Sequence, residues 1–120
     1  MLKRKYRLTN NSAFKATYRL KNSYYKSGLL LWVGKEKSED VQPTRVAFVV
    51  SKKTHKRAVK RNRLKRLMRE VYRLFLKNNS IEKSQKYMSL IFIGQEKALD
   101  KSFKEIQDIM SELLNGIKSC

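Results

Sequence analysis

The chain has 120 residues, 41% of them hydrophobic, which suffices for one hydrophobic core and is too apolar for a wholly disordered basic tail. Twenty-nine Lys and Arg against ten Asp and Glu give a formal net charge of +19, which points to a polyanionic partner, nucleic acid first. No apolar run approaches the roughly 18–20 residues of a membrane span, no apolar segment follows the basic start MLKRKYRLTNNS as a secretory signal requires, and Cys120, with no second cysteine to pair, suits a reducing cytosol.

Residues 9–19 are predicted to form a short helix, capped by Thr9 or Asn10, with Phe14 and Tyr18 at i and i+4 on one face. Asn22–Lys26 is weakly extended, Ser27-Gly28 signals a turn, and Leu29–Val33 (LLLWV) is an apolar run of strand length, together a hairpin. The polar stretch 34–44, which holds Pro43, reads as a loop. Arg45–Ser51 (RVAFVVS) is apolar almost throughout, the pattern of a strand covered on both faces. Ala58–Leu76 is a helix whose apolar arc is Leu64, Leu67, Met68, Val71, Leu74 and Phe75, ended by Asn78-Asn79-Ser80. Tyr87–Ile93 is a second apolar strand, stopped by Gly94. The last helix opens at Ser102, which has capping-box spacing with Glu105, and its stripe runs Phe103, Ile106, Ile109, Met110, Leu113, Leu114 and Ile117. The order αβββαβα over residues 1–120 predicts a single-domain α+β sandwich, with strands 45–51 and 87–93 a parallel pair joined through a helix.

Charge is densest in residues 52–73, KKTHKRAVKRNRLKRLMREVYR, with eleven bases and one acid, Glu70. That segment carries +10 of the +19, leaving +9 for the other residues. Like charges repel at helical neighbour distances, so such density is expected where a polyanion neutralises it. Arg61, Lys65, Arg69 and Arg73 follow one another at i+4, with Asn62 and Arg66 alongside, and are expected opposite the apolar arc. Lys60 and Arg63 sit nearer the core boundary, where long stems lie over apolar surface. Arginine grips phosphate with a two-donor fork, while Asn62 suits a base edge, a ribose hydroxyl or a backbone group. A solvated charged face is the alternative, but such faces mix signs.

Phe14, Tyr18 and Trp32 beside a basic groove are suited to stacking single-stranded bases, although spacing alone favours core packing for Phe14 and Trp32. The acids are scattered: Glu36, Glu39 and Asp40 fall in a loop, while Glu105, Asp108 and Glu112 share a helix face and read as an exposed stripe paired with Lys101 and Lys104. His55 is the lone histidine, without an evident carboxylate or cysteine partner, so neither catalytic residues nor a metal site are assigned to the chain. Two rivals remain open on these grounds: a small basic ribosomal protein, and a DNA-binding protein with helix 58–76 in a major groove. The latter needs base-reading side chains near the helix start, where only Asn62 stands out.

The block Lys60–Glu70 (KRNRLKRLMRE), preceded by a strand ending Val50-Ser51-Lys52-Lys53, resembles the RNR signature of the bacterial ribonuclease P protein component. Length, element order and the amphipathic last helix extend the resemblance over essentially the whole chain. It implies a small mixed sheet of the ribosomal protein S5 domain 2-like kind, with a left-handed βαβ crossover where the general preference is right-handed. It implies an RNA-facing helix bearing Lys60, Arg61, Asn62, Arg63, Lys65, Arg66 and Arg69. It also implies a cleft for the single-stranded 5′ leader of precursor tRNA, lined by Phe14, Tyr18, Leu30 and Trp32 and bordered by Lys52 and Lys53. On this resemblance the chain is an accessory subunit of a cytoplasmic ribonucleoprotein endoribonuclease. Its partners are the catalytic RNA and precursor tRNA, with no membrane and no obligate protein partner. Mg²⁺ is bound mainly by the RNA. Thr54-His55-Lys56-Arg57 lacks a glycine common in that family.

Overall fold

The computed structural model describes residues 3–37, 43–51, 53, 56–78 and 82–117; Glu39, Asp40, Lys52, the 54–55 part of the 54–57 loop with His55, the helix-end pair Asn79-Ser80 and Cys120 lie outside the described residues. Seven main elements follow in chain order: α1 (Asn11–Arg19), β1 (Ser23–Lys26), β2 (Leu29–Val33), β3 (Arg45–Val49), α2 (Ala58–Lys77), β4 (Ser89–Gly94) and α3 (Phe103–Asn115). The order αβββαβα is as expected. Three short 3₁₀ turns, at Arg4–Tyr6, Glu82–Lys86 and Glu96–Ala98, are additional.

Local chemistry sets the boundaries. Asn10, rather than Thr9, caps α1 by accepting a hydrogen bond from the Ser12 amide at 2.8 Å. Ser27 and Gly28 both take positive φ, 46° and 96°, the twist a two-residue hairpin turn requires. The capping box at α3 is complete, since Ser102 accepts from the Glu105 amide and Glu105 accepts from the Ser102 amide. β4 starts at Ser89 instead of Tyr87: Tyr87 makes only an isolated antiparallel bridge with Glu36, and its carbonyl accepts from the Thr44 hydroxyl. β3 likewise stops at Val49, before Val50 and Ser51.

The sheet order is β1-β2-β4-β3, antiparallel except for the β3–β4 pair, which is parallel and bridged by α2. Leu29, Leu31, Val33, Val46, Leu90 and Phe92 point to one face and are buried with α2 and α3. Leu64, Met68, Val71, Tyr72 and Phe75 supply the α2 side of this core, and Ile106, Met110 and Leu114 are among the α3 residues that complete it. Phe48, Tyr72 and Phe92 form an aromatic triangle with centroids 5.8, 6.0 and 6.4 Å apart. α2 comes so close to the sheet at Gly94 that a Cβ there would lie 2.4 Å from Leu64 Cδ2.

The opposite face holds a smaller cluster of Leu8, Ala47 and Ile91, with Ala13, Phe14, Tyr18, Trp32, Val49 and Ile93 only partly buried around it. β3 is therefore not covered on both faces along its length as its apolarity suggested: one helix nine residues long roofs only part of this side.

Candidate nucleic-acid interface

α2 presents the expected cationic surface, with one geometric correction. An i+4 row advances about 40° per step around a helix of 3.6 residues per turn. The row Arg61–Lys65–Arg69–Arg73 therefore spirals from the flank of the core to its back rather than lying wholly opposite it. Arg61 is half-buried and its Nε is enclosed without a hydrogen-bond partner. Asn62 and Arg66 are the exposed positions, flanked by half-buried Lys65 and Arg69. Among the described residues, no acid pairs with Arg61, Lys65, Arg66 or Arg69. Glu70 is taken by Arg73, whose Nε donates to both carboxylate oxygens at 3.2 Å; that contact holds the Glu70 carboxyl below its usual range and raises the Arg73 guanidinium. The first turn of α2 holds no acid and the N-cap side chain does not bond its amides, so the positive end of the helix dipole adds to the charge on the ridge.

Arg63 and Lys60 behave differently. Arg63 Nη1 donates to the Leu99 carbonyl at 2.9 Å and Nη2 to the Lys101 carbonyl at 3.1 Å. Both donors of its fork thus hold the turn leading into α3. Lys60 pairs with Asp100 of the same turn at 3.3 Å. The spacing placed both residues at the core boundary; the partners they find there, 36 to 40 residues away, are not visible in it.

The second feature is a cleft between α1 and the sheet. Pairing sets Trp32 beside Ile91 and Ile91 beside Ala47 in one row, and Leu30 beside Ile93 and Ile93 beside Val49 in the next. Phe14 and Tyr18 of α1 pack over the first row, and the second stays half-exposed. Tyr18 and Trp32 meet edge to face, centroids 5.2 Å apart at 80°, and burial pushes the Tyr18 hydroxyl up. Trp32 Nε1 is enclosed without a hydrogen-bond partner. Lys53 is exposed, four residues beyond Val49 at the β3 end of the cleft.

The structure thus brings Phe14, Tyr18, Leu30 and Trp32 together on one face. Val49, Ile93 and Tyr25, which pairs across from Leu30, complete the floor. These three went unassigned in the sequence, although the period-2 alternation that places Leu30 and Trp32 on one face extends to them once the register is known.

Among the described residues, no three of His, Cys, Asp and Glu stand close enough to hold a metal ion. The acids of α3 form the expected stripe, with Glu105 near Lys101, Asp108 near Lys104 and Glu112 paired with Lys26. No helix among the described residues is long and apolar enough to cross a membrane.

A family model described as Ribonuclease P matches residues 2–118. The ribonuclease P protein component of Clostridium novyi is 38% identical over 113 residues, covering 94% of each chain. That of Clostridioides difficile is 34% identical over 107 residues, covering 89% of this chain and 87% of the relative. The structure of the Staphylococcus aureus RNase P protein matches with a TM-score of 0.73 at 26% identity, over 92% of this chain and 93% of that one. The Thermotoga maritima RNase P protein, 21% identical with a TM-score of 0.75 over 94% and 98% of the two chains, shares the fold. With the signature helix mounted on this sheet and the family match spanning nearly every residue, the chain belongs to the ribonuclease P protein family.

Proposed function

We propose that the chain is the protein subunit of a ribonuclease P holoenzyme, which removes the 5′ leader of precursor tRNA and leaves a mature 5′ phosphate. The observation that carries this reading is the pairing of a cationic face on α2, whose one acid Glu70 is held by Arg73, with an apolar, aromatic-edged cleft on the far side of the sheet. The α2 face, through Asn62, Lys65, Arg66 and Arg69, docks the catalytic RNA and lowers repulsion between two polyanions. The cleft takes the leader: a single strand has unstacked bases to lay against Phe14, Tyr18 and Trp32, at roughly 1–3 kcal/mol per base. Lys53, and Lys52 beside it in sequence, supply phosphate contacts at the cleft border. Mg²⁺ and the hydrolytic water belong, in this reading, to the RNA subunit. The acids of α3 pair with lysines, and the protein's part in this reading is binding and positioning. The cytoplasm, where precursor tRNA is made, is the corresponding location.

Reconstitution with a bacterial ribonuclease P RNA tests the proposal. The protein is expected to stimulate precursor cleavage at physiological Mg²⁺ and to favour leader-bearing over mature tRNA in the complex. Phe14→Ala is expected to lose about 1 kcal/mol of that preference while RNA-subunit affinity holds. Equal affinity for the two tRNAs with wild-type protein would return the chain to a generic structural RNA binder, and cleavage by protein alone would overturn the RNA-borne active site.

A further inference from the structure

α1 divides its face of the sheet into two channels. Phe14 and Tyr18 edge the cleft on one flank. On the other flank lies a groove of about 810 Å³, between Ala13 and Ala16 of α1, with Leu20 at its C-cap, and the sheet end at Gly34, Arg45 and Ser89. Beneath the helix, between the two, the Thr17 and Ser89 hydroxyls share a buried hydrogen bond of 2.6 Å. The charged residues lining the groove are Arg19, Lys35, Lys37 and Arg45, with no acid among them. Leu20 and Met88, 49% and 51% exposed, give it an uncovered apolar lining.

A cationic rim around an apolar floor fits a ligand with an apolar face and anions along its edge, which is the make-up of an unstacked nucleotide segment. We infer that this groove is a second RNA site, seating a single-stranded segment of the RNA subunit. The inference rests on the holoenzyme reading above and extends it. A leader lying in the aromatic cleft is cut off from the groove by α1, so the groove takes a different strand. The RNA subunit, already docked by α2, is the polyanion at hand, and the rim complements its phosphates while Leu20 and Met88 receive a base.

The test measures affinity of the full-length protein for a bacterial ribonuclease P RNA by filter binding, in three variants whose substituted residues are all exposed. Lys35→Glu with Arg45→Glu reverses the rim. Lys97→Glu with Lys104→Glu makes the same charge change away from both α2 and the groove. Leu20→Ser with Met88→Ser changes the floor without altering charge. The rim variant is expected to bind about tenfold more weakly than the charge-matched variant, and the floor variant about fivefold more weakly than wild type. A rim variant equal to the charge-matched one, or a floor variant equal to wild type, overturns the inference. So does a loss seen for precursor tRNA alone, which assigns the groove to substrate. Wild-type protein that fails to bind the RNA subunit removes the holoenzyme reading itself.

Discussion

Arg63 and Arg66 stand three positions apart in the same signature and do different work. Arg63 spends both ends of its fork on the carbonyls of Leu99 and Lys101, whereas Arg66 is exposed and makes no ion pair among the described residues. Arg63→Ala should therefore cost about 1–2 kcal/mol of stability, since it removes two charge-assisted hydrogen bonds at a half-buried site. Arg66→Ala should stay within about 0.5 kcal/mol of wild type and instead weaken RNA binding; urea unfolding and filter binding on the two variants separate the effects. Tyr72 offers a second test at this scale. Burial pushes its hydroxyl from 10.0 up to about 12, and the hydroxyl accepts a hydrogen bond from Gln85 Nε2 at 3.1 Å. A group raised on folding contributes stability that is fully present below its unfolded value and is lost as pH rises through the folded one. The window is thus pH 10 to 12, worth about 3 kcal/mol at 1.36 kcal/mol per pH unit. Tyr72→Phe should lose roughly 1 kcal/mol at neutral pH with that hydrogen bond. It should then decline less than wild type across the alkaline window, and the difference between the two pH profiles isolates Tyr72.

At the scale of elements, Gly94 is where helix and sheet meet. A Cβ there would lie 2.4 Å from Leu64 Cδ2 and 3.0 Å from Val50 Cγ2, so Gly94→Ala must displace the buried Leu64 side chain against the packed core. The expected cost is about 1–3 kcal/mol, read by urea unfolding. In the sequence Gly94 showed only as a strand stop; that it admits Leu64 depends on an approach between residues thirty positions apart. The same division holds elsewhere. The stripe of α3, its capping box and the turn at Ser27-Gly28 were legible because each is decided within a few residues, by periodicity, caps and φ. The facing of α2 was legible to within a third of a turn, and only the drift of an i+4 row misplaced Arg61. The partners of Arg63, the late start of β4 and the floor of Val49 and Ile93 were not legible. Each depends on the pairing register of strands and turns distant in sequence. For the site, the residue types and the α1 aromatic pair could be read, but which side of each strand met them could not.

The whole molecule carries +19, and its described ion pairs hold few of those charges down. Two consequences run in opposite directions as salt is added. Free in solution, the chain repels itself, above all along α2, so screening should raise its thermal midpoint as ionic strength rises from low values. Bound to RNA, the same charges release condensed counterions, so affinity should fall. With about 6–10 phosphates neutralised, the drop between 50 and 200 mM salt is roughly 10³–10⁵. Arg66→Ala with Arg69→Ala should flatten the slope of log affinity against log salt by roughly 1.4–1.8, about 0.7–0.9 for each phosphate left without its arginine. It should also reduce the salt-induced rise in the thermal midpoint, because the repulsion being screened is smaller. A charged surface held only for solubility would show the stabilisation by salt without the steep loss of RNA affinity. Opposite responses to salt in the free and bound protein, both diminished by one pair of substitutions on α2, would tie the excess charge to RNA docking.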